Sequence, residues 1–181
     1  MMNKLLTIAI LFLVFSCKTP EARRPVSVKT GSFIDASIER NKKLNANEKA
    51  FIENLMKQQS IDYIASESGF WYYYNYKVEI DTLKTPDFGD IVNYNYNVKN
   101  LNGSIIYSAE TIKTQTYAMD KQELFTGLRE GLKLMKTGET VTFLFPSQKA
   151  YGYYGDENKI GRNTPLICEV TINSITQNQT N

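Results

Sequence analysis

Residues 92–99 read Val-Asn-Tyr-Asn-Tyr-Asn-Val-Lys, so Val92, Tyr94, Tyr96 and Val98 alternate with Asn93, Asn95, Asn97 and Lys99. Successive side chains of an extended chain point to opposite faces, and this period of two predicts a strand with one buried and one wet face. Such a strand needs partners beside it and a layer over its apolar face. Asn102-Gly103 is a hairpin-type turn, and Ser104 to Ser108 reads as the return strand. Thr140 to Phe145 alternates again, with Val141, Phe143 and Phe145 on one side, and Leu166 to Ile175 reads as a last strand. Upstream, Phe70 to Val78 is dense in aromatic strand formers, followed by the turn-prone Thr85 to Asp90. The covering layer is one helix. Asp120 and Glu123 form a capping-box pattern ahead of Leu124, Phe125, Leu128, Leu132 and Met135 at helical spacing, with Gly138 as the end. Gly127 and Gly131 lie on that helix. Each weakens a helix interior by about 1 kcal/mol against Ala, so the pair predicts close backbone packing on the sheet. Strands, one helix, then strands predict an α+β fold: an antiparallel sheet with a helix on one face.

The N-terminus has a different character. Met1 to Lys4 carries one positive charge, and Leu5 to Phe15 is mostly apolar. This is the n-region and h-region of a secretory signal, and it falls short of the ~20 apolar residues that cross a bilayer. It stops at Ser16-Cys17, which resembles the lipobox of bacterial lipoproteins, although Val14 stands where Leu is commoner and Phe15 is bulky. The resemblance implies cleavage before Cys17 and a lipidated thiol. Residues 1–16 are then the signal, 17–32 a flexible tether rich in polar residues, and 33–67 a helical segment. Within it, residues 34–59 read as two helical pieces, the second capped by Asn47 with Phe51, Ile52, Leu55 and Met56 on one face. The pair serves either as a dimerisation arm or as a stalk on the domain. The main domain spans 68–177, with 178–181 as a tail.

Composition narrows the chemistry. A net charge of +2 gives no footprint for nucleic acid. The chain has no His, which removes the usual general base and the commonest metal ligand, so zinc hydrolysis and Ser-His-Asp catalysis drop out. With Cys17 lipidated, Cys168 has no partner for an internal disulfide. No cofactor and no metal are expected.

Several segments together resemble a known family. Gly69-Phe70-x-Tyr72, Gly89-Asp90-x-Val92-x-Tyr94-x-Tyr96, Asn102-Gly103, Gly127-Leu128-x-Glu130-Gly131, Met135-x-x-Gly138-Glu139 and Pro146-x-x-x-Ala150-Tyr151-Gly152 resemble the FKBP-type peptidyl-prolyl cis-trans isomerases, in order, from about Ser68 to Ile175. With its lipoprotein signal and helical prefix, the chain is most similar to the gliding-motility-associated FKBP-type lipoproteins of Bacteroidetes. The resemblance implies a curved five- to six-stranded antiparallel sheet wrapped around one short helix, with an aromatic pocket between them. It also implies rotation of the bond preceding proline, which needs neither nucleophile nor metal.

Carried over by position, the implied pocket is Tyr96 from the first pocket strand, Tyr151 from the Ala-Tyr-Gly loop, Leu124 and Phe125 before the helix, Leu128 as the floor where Trp is usual, and Ile160 from the last loop. In the family the Tyr151 hydroxyl holds the substrate carbonyl and the Phe125 N–H binds ligand. The secondary positions are Ile106 and Tyr107, where the family has phenylalanine and aspartate, then Gln115 or Tyr117 for an aromatic wall, and Cys168 for a phenylalanine. The usual pocket carboxylate is therefore missing unless a register slip brings Glu110 near. The expected function is a membrane-anchored isomerase assisting exported envelope or gliding-motility proteins, with proline-containing polypeptides as clients. The alternative is a proline-peptide-binding chaperone subunit of a motility or secretion assembly, without turnover. The expected location is the cell envelope, at the outer membrane facing the periplasm.

Overall fold

Most of the expected helical prefix is one long helix, and the strands that follow it form a single sheet. The computed structural model describes residues 31–80 and 82–178. The signal segment, Cys17 and nearly all of the tether lie outside the described residues. The chain divides into two units, 1–37 and 38–181, and every strand of the sheet belongs to the second.

Helix α1 spans Gly31–Gln58 without a break. Two pieces with an Asn47 cap were expected. An interior Asn costs at most about 0.7 kcal/mol against Ala, whereas a break leaves two more sets of unsatisfied end groups. Ile52 is fully buried, with Leu44, Glu48, Leu55 and Met56 half-buried on the same side. Phe51, expected on that face, is exposed, as is Ile38.

The strands are β1 (Ile64–Ala65), β2 (Trp71–Tyr76), β3 (Ile91–Lys99), β4 (Ile105–Tyr107), β5 (Gln115–Ala118), β6 (Thr140–Phe145) and β7 (Leu166–Thr176). They form one antiparallel sheet in the order β1-β2-β6-β7-β3-β4, with β5 also on β3. β1 and β5 bring the count to seven, above the five or six expected. β1 has two exposed residues and β5 only four, too few to show a period. One edge of β3 pairs β7 along its length, from Ile91↔Thr176 to Lys99↔Ile167. The other edge is shared: β5 pairs Ile91 to Tyr94, and β4 pairs Val98 and Lys99. Between them the chain leaves the sheet through a short helix α2 (Ala109–Ile112), which the Ser108 side chain caps at the Thr111 N–H.

Helix α3 is short, Thr126–Leu132. The capping box expected at Asp120 does not form. Asp120 instead takes a left-handed backbone (φ 58°) and pairs with the cations of the helix's outer face, Arg129 at 3.6 Å and Lys133 at 3.1 Å. Leu124 and Phe125 therefore precede the helix, and Phe125 occupies its N-cap position with no side-chain cap. The glycine expectation holds in detail. A Cβ on Gly127 would lie 2.5 Å from the Phe145 ring and 2.7 Å from the Lys149 carbonyl, and one on Gly131 would lie 2.9 Å from Phe143. Phe143 and Phe145 stack at 5.4 Å, and Phe70 meets both edge-on. Leu128 and Leu132 of α3 join Val92, Val98, Val170 and Ile172 of the sheet in one core. Buried Glu139 accepts from the N–H groups of Lys136 (2.7 Å) and Val78 (3.2 Å), tying the turn after α3 to the end of β2.

Candidate functional site: an aromatic cluster between sheet and helix

β3 presents Tyr94 and Tyr96 on one face because they are two residues apart, and their rings lie 5.5 Å apart. Tyr94 is buried and Tyr96 half-buried. Tyr151, near enough to both to raise their hydroxyls electrostatically, follows a single 3₁₀ turn (Ser147–Lys149) after β6. The Phe125 ring links this loop to the floor of the fold, 5.2 Å from Tyr151 and 5.5 Å from Phe145. Leu128 is fully buried beneath, and Ile160, also buried, comes from the loop before β7. Cys168, in β7 opposite Val98, is fully buried. The structure thus brings Tyr96, Leu124, Phe125, Leu128, Tyr151 and Ile160 into one cluster, together with Ile106, Tyr107, Tyr117 and Cys168.

The electrostatics make the cluster a place for neutral donors. Burial, then the neighbouring phenol of Tyr151, pushes the Tyr96 hydroxyl well above the usual range. Burial raises Tyr94 and Tyr151 in the same way. All three phenols stay protonated at neutral pH and can donate a hydrogen bond. Neither the Tyr96 nor the Tyr151 hydroxyl has a hydrogen-bond partner among the described residues. The Phe125 N–H is likewise not taken by any backbone carbonyl among them. Burial also pushes the Cys168 thiol far up, so it behaves as a small apolar side chain rather than a nucleophile.

Two secondary positions have local partners. Tyr117 is buried and donates to the Gln122 carbonyl at 3.2 Å, which turns its hydroxyl toward the loop before α3. Tyr107 donates to Asp156 Oδ2, accepts from the Lys159 N–H at 3.3 Å, and lies under the Lys159 ammonium at 5.1 Å. Asp156 also accepts from the N–H groups of Ile160 (2.7 Å) and Asn158 (3.0 Å). Its burial would raise the carboxyl, but these hydrogen bonds outweigh that and hold it below the ordinary value.

A carboxylate therefore does stand beside the cluster, bound to Tyr107 and supplied by the loop rather than by the strand. Neither Ile106-Tyr107 nor Glu110 provides it: Glu110 lies in the first turn of α2, where the Ser108 side chain holds its carboxyl below the ordinary value. Asp156 was missed by sequence reasoning. Asp-x-Asn followed by Lys-Ile is an Asx-turn signal that could have drawn attention to it. Tyr94, beside Tyr96 in the cluster, is also absent from the positions that the resemblance implies for the pocket.

Comparison with known proteins agrees with this geometry. Residues 83–173 match the model of the FKBP-type peptidyl-prolyl cis-trans isomerase family, a span that runs from before β3 into β7. The chain is 30% identical over 89 residues to the probable FKBP-type peptidyl-prolyl cis-trans isomerase FkpA of Neisseria meningitidis serogroup B. That match covers 49% of this chain and 32% of the Neisseria protein. The fold is similar to that of FkpA from Escherichia coli, with a TM-score of 0.60 at 23% identity, covering 96% of this chain and 82% of that one. It is also similar to a peptidyl-prolyl cis-trans isomerase from Pseudomonas syringae pv. tomato, with a TM-score of 0.57 at 22% identity, covering 79% of this chain and 96% of that one. The pocket residues and the matched span lead to one assignment: the chain belongs to the FKBP-type peptidyl-prolyl cis-trans isomerase family.

Proposed function

We propose that this chain is a prolyl isomerase of the cell envelope, anchored by a lipid on Cys17 and acting on exported polypeptides. The observation that carries the enzymatic reading is the gathering of Tyr96 and Tyr151, two protonated phenols that feel each other electrostatically, in one apolar cluster with Leu128 and Phe125. Amide resonance sets the rotation barrier at ~18–20 kcal/mol. Twisting the bond before proline removes that resonance and makes the carbonyl less polar. An apolar pocket then favours the twisted state over the planar one, while the Tyr151 hydroxyl holds the substrate carbonyl in place. Differential stabilisation of ~4 kcal/mol would give nearly a thousandfold acceleration, at ~1.4 kcal/mol per tenfold. No bond is broken and no proton is transferred, which suits phenols that do not ionise.

The lipobox-like Val14-Phe15-Ser16-Cys17, after an apolar run, supports the anchor. A tether of about fifteen residues would let the domain range ~20 Å from the bilayer by random-coil scaling. Lys18 after the cysteine, rather than Asp, supports the outer membrane, and the order of lipobox, tether, helix and isomerase domain supports clients among envelope and gliding-motility proteins. Metabolic labelling with palmitate tests the anchor: wild type takes up label and Cys17→Ala does not, whereas equal labelling of both removes the proposal. Turnover is tested by a protease-coupled assay on Xaa-Pro peptides with the chain from residue 18 onward.

A further inference from the structure

The 3₁₀ turn that places Tyr151 has an unusual support. Pro146 stands at its N-cap position and makes no side-chain cap hydrogen bond. The partner comes from 99 positions away in the sequence: the Ser147 N–H donates to Glu48 Oε2 at 2.9 Å, and the Ser147 hydroxyl donates to Glu48 Oε1 at 2.7 Å. Ser147 is buried, so these groups have no alternative in bulk water. Three residues before Glu48 on α1, Asn45 donates to the Gln148 side chain at 3.1 Å. The Ser147 carbonyl in turn accepts from the Ala150 N–H at 3.0 Å and the Gly152 N–H at 2.8 Å. These are the amides on either side of Tyr151. One residue therefore joins the carboxylate of α1 to both flanks of the pocket tyrosine.

We propose that Glu48 is a positioning residue for the Tyr151 loop, capping the turn from α1 and so making the appended helix part of the site rather than a spacer. Its effect on turnover rests on the isomerase reading above; its effect on the loop does not. Both hydrogen bonds run from a neutral donor to a carboxylate, a class roughly twice as strong as neutral pairs. Docking of α1 alone would require only apolar contact such as that of Ile52. The bidentate grip on Ser147 instead fixes the orientation of the turn.

The test uses the full chain with Glu48→Ala and Glu48→Gln. Amide hydrogen exchange at Ala150 and Gly152 should accelerate by about tenfold in Glu48→Ala while amides of β6 and β7 keep their rates, a local opening rather than a global one. Glu48→Gln, which keeps one acceptor oxygen, should fall between, and it serves alone if the alanine variant does not fold. On Xaa-Pro peptides, Glu48→Ala should lower kcat/KM about fivefold in the wild-type background and less than about twofold in Tyr151→Phe, the non-additivity of two residues acting through one hydroxyl. Unchanged exchange at 150 and 152 overturns the proposal, and so does the same loss of activity in both backgrounds. If wild type gives no turnover at all, the isomerase reading fails, and the exchange rates alone decide the role of Glu48.

Discussion

Gly127 and Asp156 illustrate how single residues set this pocket. Gly127 lets α3 lie against Phe145 and the carbonyl of Lys149, just ahead of Tyr151. Gly127→Ala would gain about 1 kcal/mol of helix propensity but force an overpacking cost of about 1–3 kcal/mol, because a backbone oxygen cannot swing away. A lower urea midpoint than wild type is expected, and a higher one would show that the approach is looser than described. Asp156 holds the loop through Tyr107 and two backbone N–H groups, with its carboxyl below the ordinary value of 3.8. A depressed carboxylate contributes stability in full above its unfolded pKa and loses it as pH falls through the folded value. The stability gap between wild type and Asp156→Asn should therefore be widest above about pH 4 and shrink below it. Denaturant titrations across that range check this, and a gap independent of pH would exclude the carboxylate as its source. Asp156 was not legible beforehand because its role depends on Tyr107, forty-nine residues away.

Among the elements, legibility followed the strength of the period. β3 and β7 were readable because long strands with one buried face alternate, and β6 has the bounds expected of it, although it is buried on both faces, Thr142 and Leu144 as well as Val141, Phe143 and Phe145. α3 was misplaced because a capping-box pattern says only that a box could form. Asp120 had stronger partners in Arg129 and Lys133. α2 and β5 were missed because four residues hold too little pattern to rise above their surroundings. α1 was legible as helix, with packing on the domain left open beside a dimerisation arm, since its buried face is narrow: Ile52 is its only fully buried apolar residue among those described. Ile52→Ala should cost about 2–5 kcal/mol, the range for emptying a fully buried aliphatic site. A loss below about 0.5 kcal/mol in chemical denaturation, the size of a surface change, would show that α1 is not packed on the domain.

At the scale of the whole molecule, Leu128 stands where the family resemblance implies an indole and Cys168 where it implies a phenylalanine, and both are fully buried. Tyr96, Phe125 and Tyr151 lie with them in one apolar cluster, and the nearby carboxylate of Asp156 comes from a loop. Tyr96 and Tyr151, and the order of segments around them, were legible in the sequence because they sit inside motifs whose spacing the fold enforces, and Phe125 from its place just ahead of the helix motif. The support from α1 was not, because it joins residues far apart in the chain. The most direct measurement is the protease-coupled isomerisation rate of an Xaa-Pro peptide with wild type and Tyr151→Phe, both confirmed folded. The hydroxyl of Tyr151 makes no hydrogen bond with the described residues, so its removal should leave stability within about 0.5 kcal/mol of wild type. Wild type should accelerate isomerisation well above the uncatalysed rate, and Tyr151→Phe should lose about tenfold in kcat/KM, the worth of one positioned donor. Both proteins matching the uncatalysed rate would contradict the enzymatic reading and leave a proline-binding module in its place.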